Sequence, residues 1–372
     1  MIIGVPKEIK EGEFRVAMIP SNVRVLADAG HQVLVETAAG KAAGYLDEAY
    51  AAAGACIVAS EAEIWEKAEL IVKVKEILPE EFDFVKERHI VFTYIHSANR
   101  PPQTECLLQS KCVAFAMEDM KDQNGRFPLL EPMSRIAGEV GMLYGIFYSQ
   151  TTFGGNGKLV CGTTGVKPMK IVIFGAGNVG LAAARLAVGM RAEVVLMDTN
   201  QPALERARTV EVPGVRTCTS NRQNVEEEIR DADLVVNCVK WFPGLTIISR
   251  DMLALMKPNA MIVDIDAEPG GAIETSRYST HEDPVYIVDG IRHIGIPNLP
   301  SSAAYSASAS LSNVTTPIIK EIADKGWKRA ALENPLIEYG LDFVRGYLTF
   351  ADTAEAQNRP LTEKAFVYEN VD

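Results

Sequence analysis

Two stretches of this 372-residue chain carry residue types whose spacing implies chemistry. The first is "KIVIFGAGNVGLAAARLAVGMRAEVVLMDTN", residues 170–200. Gly175, Gly177 and Gly180 form G-x-G-x-x-G directly after an apolar strand, Ile171 to Phe174, and directly before a helix. The three glycines serve in turn a tight bend, close approach of a pyrophosphate to the backbone, and close helix–strand packing. The helix N-terminus offers N–H groups and a positive dipole end to phosphates. The next strand ends at Asp198, where an acid accepts hydrogen bonds from an adenosine ribose. Asp198 would repel a 2′-phosphate and no arginine follows it immediately, so the expected cofactor is NAD rather than NADP. The second stretch is "VDIDAEPGG", residues 263–271, with Asp264, Asp266 and Glu268. On a regular strand all three would share one face. Acids are rarely buried without partners, so the row calls for either structural bonds or acid–base work.

Composition narrows the classes of partner. Net charge is −12 and the pI is near 5.1, so the basic footprint that nucleic acid or anionic lipid requires is absent. Hydrophobic residues make up 47% and charged residues 23%, as in soluble globular proteins. No apolar run approaches the roughly 18 residues that would span a bilayer. The opening "MIIGVPKEIKEGEFRV" lacks the apolar core of a secretory leader, and a cytoplasmic location is expected. The six cysteines form no C-x-x-C pair and the five histidines no H-E-x-x-H, so free thiols and no metal site are expected.

These groups must be held by elements, and strand–helix alternation marks the fold class as α/β. "SNVRVLADAG" reads as a helix capped by Ser21 and ended by Gly30, and a long helix covers roughly 132–149. A second strand–helix series runs from "KIVIFGAGNVG" to "VYIVDGIRH", and the chain from "ASLSNVTTPIIKEIADKGW" to about residue 346 reads as helical. Two Rossmann-like α/β units are therefore expected. The dinucleotide-binding one, 129–305, is inserted into a discontinuous substrate and catalytic unit, 1–128 and 306–372. Ligands are expected in the cleft outside the carboxyl ends of the strands.

Taken singly, several further residues read blandly. Arg15 reads as a solvated surface charge, Lys73 and Lys75 as an exposed pair on one strand face, and His96 as a satisfied core histidine. Together, "KEIKEGEFRVAMIP", "VKVKE", "FTYIHSA" and "LLEPMSRIAGE" resemble the alanine dehydrogenase and transhydrogenase N-terminal family, over nearly the whole chain and closest to its alanine dehydrogenase branch. That resemblance implies an NAD-dependent enzyme, usually a hexamer, that interconverts L-alanine with pyruvate and ammonia. It implies Arg15 for the substrate carboxylate, Lys75 for the carbonyl or imine, and His96 as acid and base. Tyr94, Met133 and Asn298 would line the substrate site. Ser134 would contact the cofactor, with Asn178 and Val179 of the glycine turn, Val239, and Glu268. A guanidinium is the natural bidentate partner of a carboxylate, and imidazole suits proton traffic near neutrality.

The chain departs from that pattern in two places, the acid row and the nicotinamide-side loop. Glu268 stands where the branch carries its catalytic aspartate, and Asp266 where it carries a small apolar residue. Lys240, Trp241 and Phe242 occupy the nicotinamide-side loop in place of small aliphatic residues. These changes motivate a rival expectation, an opine-type or larger amino acid dehydrogenase whose cationic substrate pairs with Asp266. A catalytically silent NAD-binding subunit is the third.

Overall fold

The computed structural model describes residues 1–371, which divide into two compact units. The first comprises Met1–Pro132 and the chain from Ala304 onward, and the second Met133–Ala303. The divisions thus fall after Pro132 and Ala303, not after 128 and 305.

The first unit begins with six parallel strands, β1 (Ile2–Val5), β2 (Gln32–Glu36), β3 (Cys56–Val58), β4 (Leu70–Val72), β5 (Ile90–Thr93) and β6 (Val113–Ala116). They lie in the order β3-β2-β1-β4-β5-β6. Val33, Leu34, Ile71, Val91, Phe92 and Phe115 are fully or almost fully buried, as near-continuous apolar runs in a parallel sheet covered on both faces require. The first helix is Pro20–Asp28. Its N-cap is Ile19 and Pro20 opens it, so Ser21 does not cap it and instead bonds Asn22 from within the first turn.

The second unit repeats the arrangement with β7 (Lys170–Phe174), β8 (Glu193–Asp198), β9 (Arg216–Thr219), β10 (Leu234–Asn237), β11 (Met261–Asp264), β12 (Tyr286–Val288) and β13 (Ile291–Ile294). The order is β9-β8-β7-β10-β11-β13, with β12 antiparallel at the edge. Both sheets therefore reverse direction of winding between their first and fourth strands, the switch point where open α/β sheets bind ligands. The long helix spans Glu131–Tyr148. No helix of the described residues is long and apolar enough to cross a membrane.

Back in the first unit, the helix Ala304–Lys325 is followed by two short helices, Trp327–Glu333 and Pro335–Tyr339. The expected helical run to about 346 then fails. Residues 341–348 form the hairpin β14 (Leu341–Val344) and β15 (Tyr347–Leu348), with β14 antiparallel to β6. Arg345 and Gly346 both adopt positive φ, 49° and 90°, as the two central residues of a tight hairpin turn do.

The strand read through Lys73 and Lys75 stops at Val72. Lys73 is not exposed but fully buried, its Nζ 2.5 Å from Glu81 Oε1 and 3.5 Å from Glu8 Oε2. Burial alone would push its pKa down, but the two carboxylates outweigh it and the net shift is upward. Burial likewise raises Glu81, to about 7. Glu8 also accepts the main-chain N–H groups of Val74 at 2.6 Å and Lys75 at 3.3 Å, so one carboxylate fixes the whole turn after β4. Removing one partner from a buried ionic group leaves the others uncompensated, a loss of about 3–5 kcal/mol. Lys73→Met is expected to lower stability in urea unfolding at pH 7 by that amount, and adding Glu81→Gln to recover part of it. A Lys73→Met protein as stable as the parent would remove this ion group from the account of the fold.

Candidate active site

In the first unit, the residues expected to meet substrate all follow the carboxyl ends of adjacent strands. Arg15 lies in the loop after β1, Lys75 after β4, and Tyr94 and His96 after β5. Arg15 is not a solvated charge. It is 3% exposed, and Glu13 takes its Nε at 2.7 Å, its Nη2 at 2.5 Å and its main-chain N–H at 3.0 Å. Desolvation works against the guanidinium charge, and Glu13 more than restores it. Lys75 is half-buried. Its ammonium pKa is pushed down to about 8, first by desolvation and then by the neighbouring Arg15 charge. The Lys75 carbonyl accepts the Thr93 hydroxyl at 2.7 Å.

Tyr94 is buried, donates to Leu129 O at 2.7 Å, and stacks on the His96 ring with centroids 6.0 Å apart. His96 is no core histidine. It is partly exposed, and its backbone is left-handed at φ 50°. That conformation costs an L-residue about 1–2 kcal/mol. Two contacts from Glu118 hold it: Oε1 accepts His96 N, and Oε2 accepts Ile95 N at 3.1 Å. The desolvation His96 does suffer, and then the Lys75 charge, hold its pKa down to about 4. It is therefore a neutral imidazole at physiological pH. A cation pair, a neutral base and a buried tyrosine can grip a carboxylate and a carbonyl oxygen while a proton moves.

In the second unit, the glycine turn sits at the switch point between β7 and β10. Gly175 has φ 98° and packs on Cys238 and Val239, which follow β10. A Cβ on Gly180 would come 1.8 Å from Gly175 O, so only glycine lets the helix Asn178–Gly189 lie this close to the strand. A Cβ on Gly177 would meet nothing within 4 Å. The open space in front of Gly177, and a helix N-terminus that no side chain caps, fit a pyrophosphate. Gly138 of the long helix is equally constrained, its Cβ position 2.1 Å from Val179 O, so the segment carrying Met133 and Ser134 is packed on this turn.

Asp198 accepts Ala176 N at 2.6 Å and Asn200 N at 2.8 Å, and so braces the turn as well as ending β8. Beyond it opens a cavity of about 510 Å³ with Thr199, Ser220, Asn221, Leu245 and Ile247 in its wall, a size and place suited to an adenosine. The sequence reading missed these wall residues, which come from three separate loops.

The acid row does not share a face, because β11 ends at Asp264 and the chain turns. Asp264 is buried and bonds two side chains. Asn237 Nδ2 donates to it at 2.8 Å, and Ser276 Oγ donates to its other oxygen. Asp266 accepts Trp241 N at 2.9 Å, and the Trp241 indole donates to Leu245 O at 3.1 Å. The unexpected acid thus pins the unusual loop. Glu268 is exposed and accepts the Tyr278 hydroxyl at 3.0 Å. Asp266, Tyr278 and Asn298, the last left-handed at φ 65°, share a second cavity of about 280 Å³.

Two family models, the alanine dehydrogenase/PNT N-terminal domain and C-terminal domain, match residues 4–137 and 141–351. The chain belongs to the alanine dehydrogenase/PNT family. An alanine dehydrogenase of Methanococcus maripaludis is 41% identical over 371 residues, covering 98% of this chain and 99% of its own. That of Halomonas elongata is 39% identical over 368 residues, with 98% and 99% covered. A solved L-alanine dehydrogenase matches with a TM-score of 0.92 at 37% identity, over 96% of this chain and 99% of the other.

The Gly177 geometry yields a clean test. Gly177→Ala places its methyl in the open space, at a φ of −86° that alanine adopts without strain. Thermal stability is expected to stay unchanged while the NADH dissociation constant, from fluorescence titration, rises roughly tenfold or more. Unaltered NADH affinity would move the pyrophosphate elsewhere.

Proposed function

We propose that this protein catalyses the NAD-dependent oxidative deamination of L-alanine to pyruvate and ammonia, and the reverse reductive amination. Membership of the family supports the reaction. The single observation that carries it is that a buried Arg15, Lys75 and His96 all follow the carboxyl ends of the neighbouring strands β1, β4 and β5.

In this reading Arg15, preset by Glu13, receives the substrate carboxylate, and Lys75 polarises the carbonyl or imine at Cα. The dinucleotide, held by Gly175, Gly177, Asn178, Val179, Gly180, Asp198, Val239 and Ser134, would supply the hydride acceptor when bound. Once the substrate is an imine, His96 takes a proton from the water that adds to its carbon. Glu268, held by Tyr278, then handles the proton that leaves with or returns from ammonia. Met133, Tyr94 and Asn298 are taken as substrate-contacting residues by family likeness. A larger cationic substrate paired with Asp266 would share that carboxylate with Trp241 N. We further propose a cytoplasmic homo-oligomer, a hexamer by family likeness. The exposed Leu143, Phe147 and Phe153 supply apolar surface for it.

Turnover followed by NADH absorbance over a panel of L-amino acids tests the substrate. Alanine is expected to be strongly preferred, with ammonia as the reverse co-substrate. Preference for lysine, ornithine or an amine would replace this reading. Glu268→Gln is expected to cut kcat by about two orders of magnitude with NADH affinity nearly intact. Near-normal turnover would move the acid–base role elsewhere.

The lowered Lys75 pKa gives a signed pH effect. The ammonium that polarises pyruvate exists below about 8 and is lost above it. The kcat/KM for pyruvate is therefore expected to fall as pH rises through that value. In Lys75→Arg, whatever its absolute rate, that limb should disappear because guanidinium stays charged. A limb that persists unchanged in the arginine variant belongs to another group.

A further inference from the structure

Glu118 follows β6, one strand over from His96 on β5's loop, and nothing in the sequence pattern marks it. It is 8% exposed. Its two oxygens divide between consecutive main-chain donors, Ile95 N at 3.1 Å and His96 N, and the same Oε1 that accepts His96 N lies 3.4 Å from His96 Nδ1. The carboxylate therefore does two things with one placement. It holds the left-handed backbone at His96, and it places near one ring nitrogen, Nδ1, an oxygen that is negative once the carboxyl ionises.

For a neutral imidazole this approach favours one tautomer. The proton sits on the nitrogen that faces an acceptor, and the other nitrogen keeps its lone pair. Tyr94, stacked face to face with the ring, offers no in-plane partner that would compete, since its hydroxyl is committed to Leu129 O. We infer that Glu118 is the positioning residue of His96: it fixes the Nδ1–H tautomer and so reserves Nε2 as the proton acceptor. This rests on the acid–base role of His96 proposed above.

The groups facing Glu118 set when it can act. Asp119 comes from its own turn, Asp342 is fully buried on β14 with Lys364 beside it, and Tyr94 and His96 face it from the loop after β5. Burial, then the Asp119 charge, raise the Glu118 carboxyl to about 8, against the two main-chain donors. A raised carboxyl is ionised only above that value. The tautomer preference should therefore strengthen as pH rises through it.

The inference is tested by ¹⁵N-histidine NMR of the intact protein. The His96 signal is assigned by its loss in His96→Asn, among five histidines. The wild type at pH 9 is expected to show a protonated Nδ1 and an unprotonated Nε2, with the preference weakening toward pH 7. Glu118→Gln should lose that preference and lower kcat for alanine roughly ten- to hundredfold. KM should change less than kcat, and Glu118→Asp should recover part of kcat. A wild-type Nε2–H tautomer, or a Glu118→Gln protein with parental kcat and tautomer, overturns the inference. If Glu118→Gln does not fold, the wild-type tautomer alone decides. Full alanine turnover by His96→Asn would instead overturn the acid–base role of His96, a different failure read in a different protein.

Discussion

A charge under cover needs a counter-charge, and the first unit is organised around that requirement. Glu13 closes on Arg15, Glu8 on Lys73 and the turn that carries Lys75, and Glu118 on the backbone of His96. Each chemically expressive side chain is backed by a glutamate that is itself nearly buried. The effect is preorganisation. A guanidinium held on one edge, an ammonium with a lowered pKa and an imidazole with a fixed backbone have little freedom left to lose. Desolvation supplies the chemistry as well. It keeps His96 neutral and brings the Lys75 pKa close to neutrality, where small changes in pH or substrate charge tip that lysine.

The second unit solves a different problem with different means. Its proposed ligand is a polyanion, which the glycine turn would meet with backbone rather than with side-chain charge. The glycine turn is short of atoms by design: one glycine permits the bend, one leaves a gap, and one lets helix and strand touch. Asp198 braces that turn through Ala176 N, so the residue expected to greet the ribose also keeps the phosphate site in register.

Legibility in the sequence followed the range of the interactions. The glycine turn is complete within some thirty consecutive residues, and its strand, helix and terminal acid could be read directly. The α/β alternation and the insertion of one unit into another were equally open, because they depend on local periodicity. Arg15, Lys75 and His96 could be placed only by family likeness, since each alone is an ordinary charge or ring. The glutamates behind them were not visible. Glu8 meets Val74 and Glu118 meets His96 only after the sheet has brought distant loops together. The reading of Lys73 failed for the same reason: alternation on a strand says which way a lysine points, not what waits for it there. The hairpin at 341–348 was hidden because its two-residue turn, Arg345–Gly346, lies inside what reads as a continuing helix.

The Asp266–Trp241 contact carries a consequence for exchange between relatives. Residues 240–245 and the turn after β11 are distant in sequence yet share a hydrogen bond and an indole anchor. They form one structural unit. A loop transplanted from a relative with small aliphatic residues would arrive without the main-chain conformation that Asp266 was shaped to receive, and would leave that carboxylate facing nothing. Chimeras that cut between the two segments separate a lock from its key, whereas those that move both keep the pair whole.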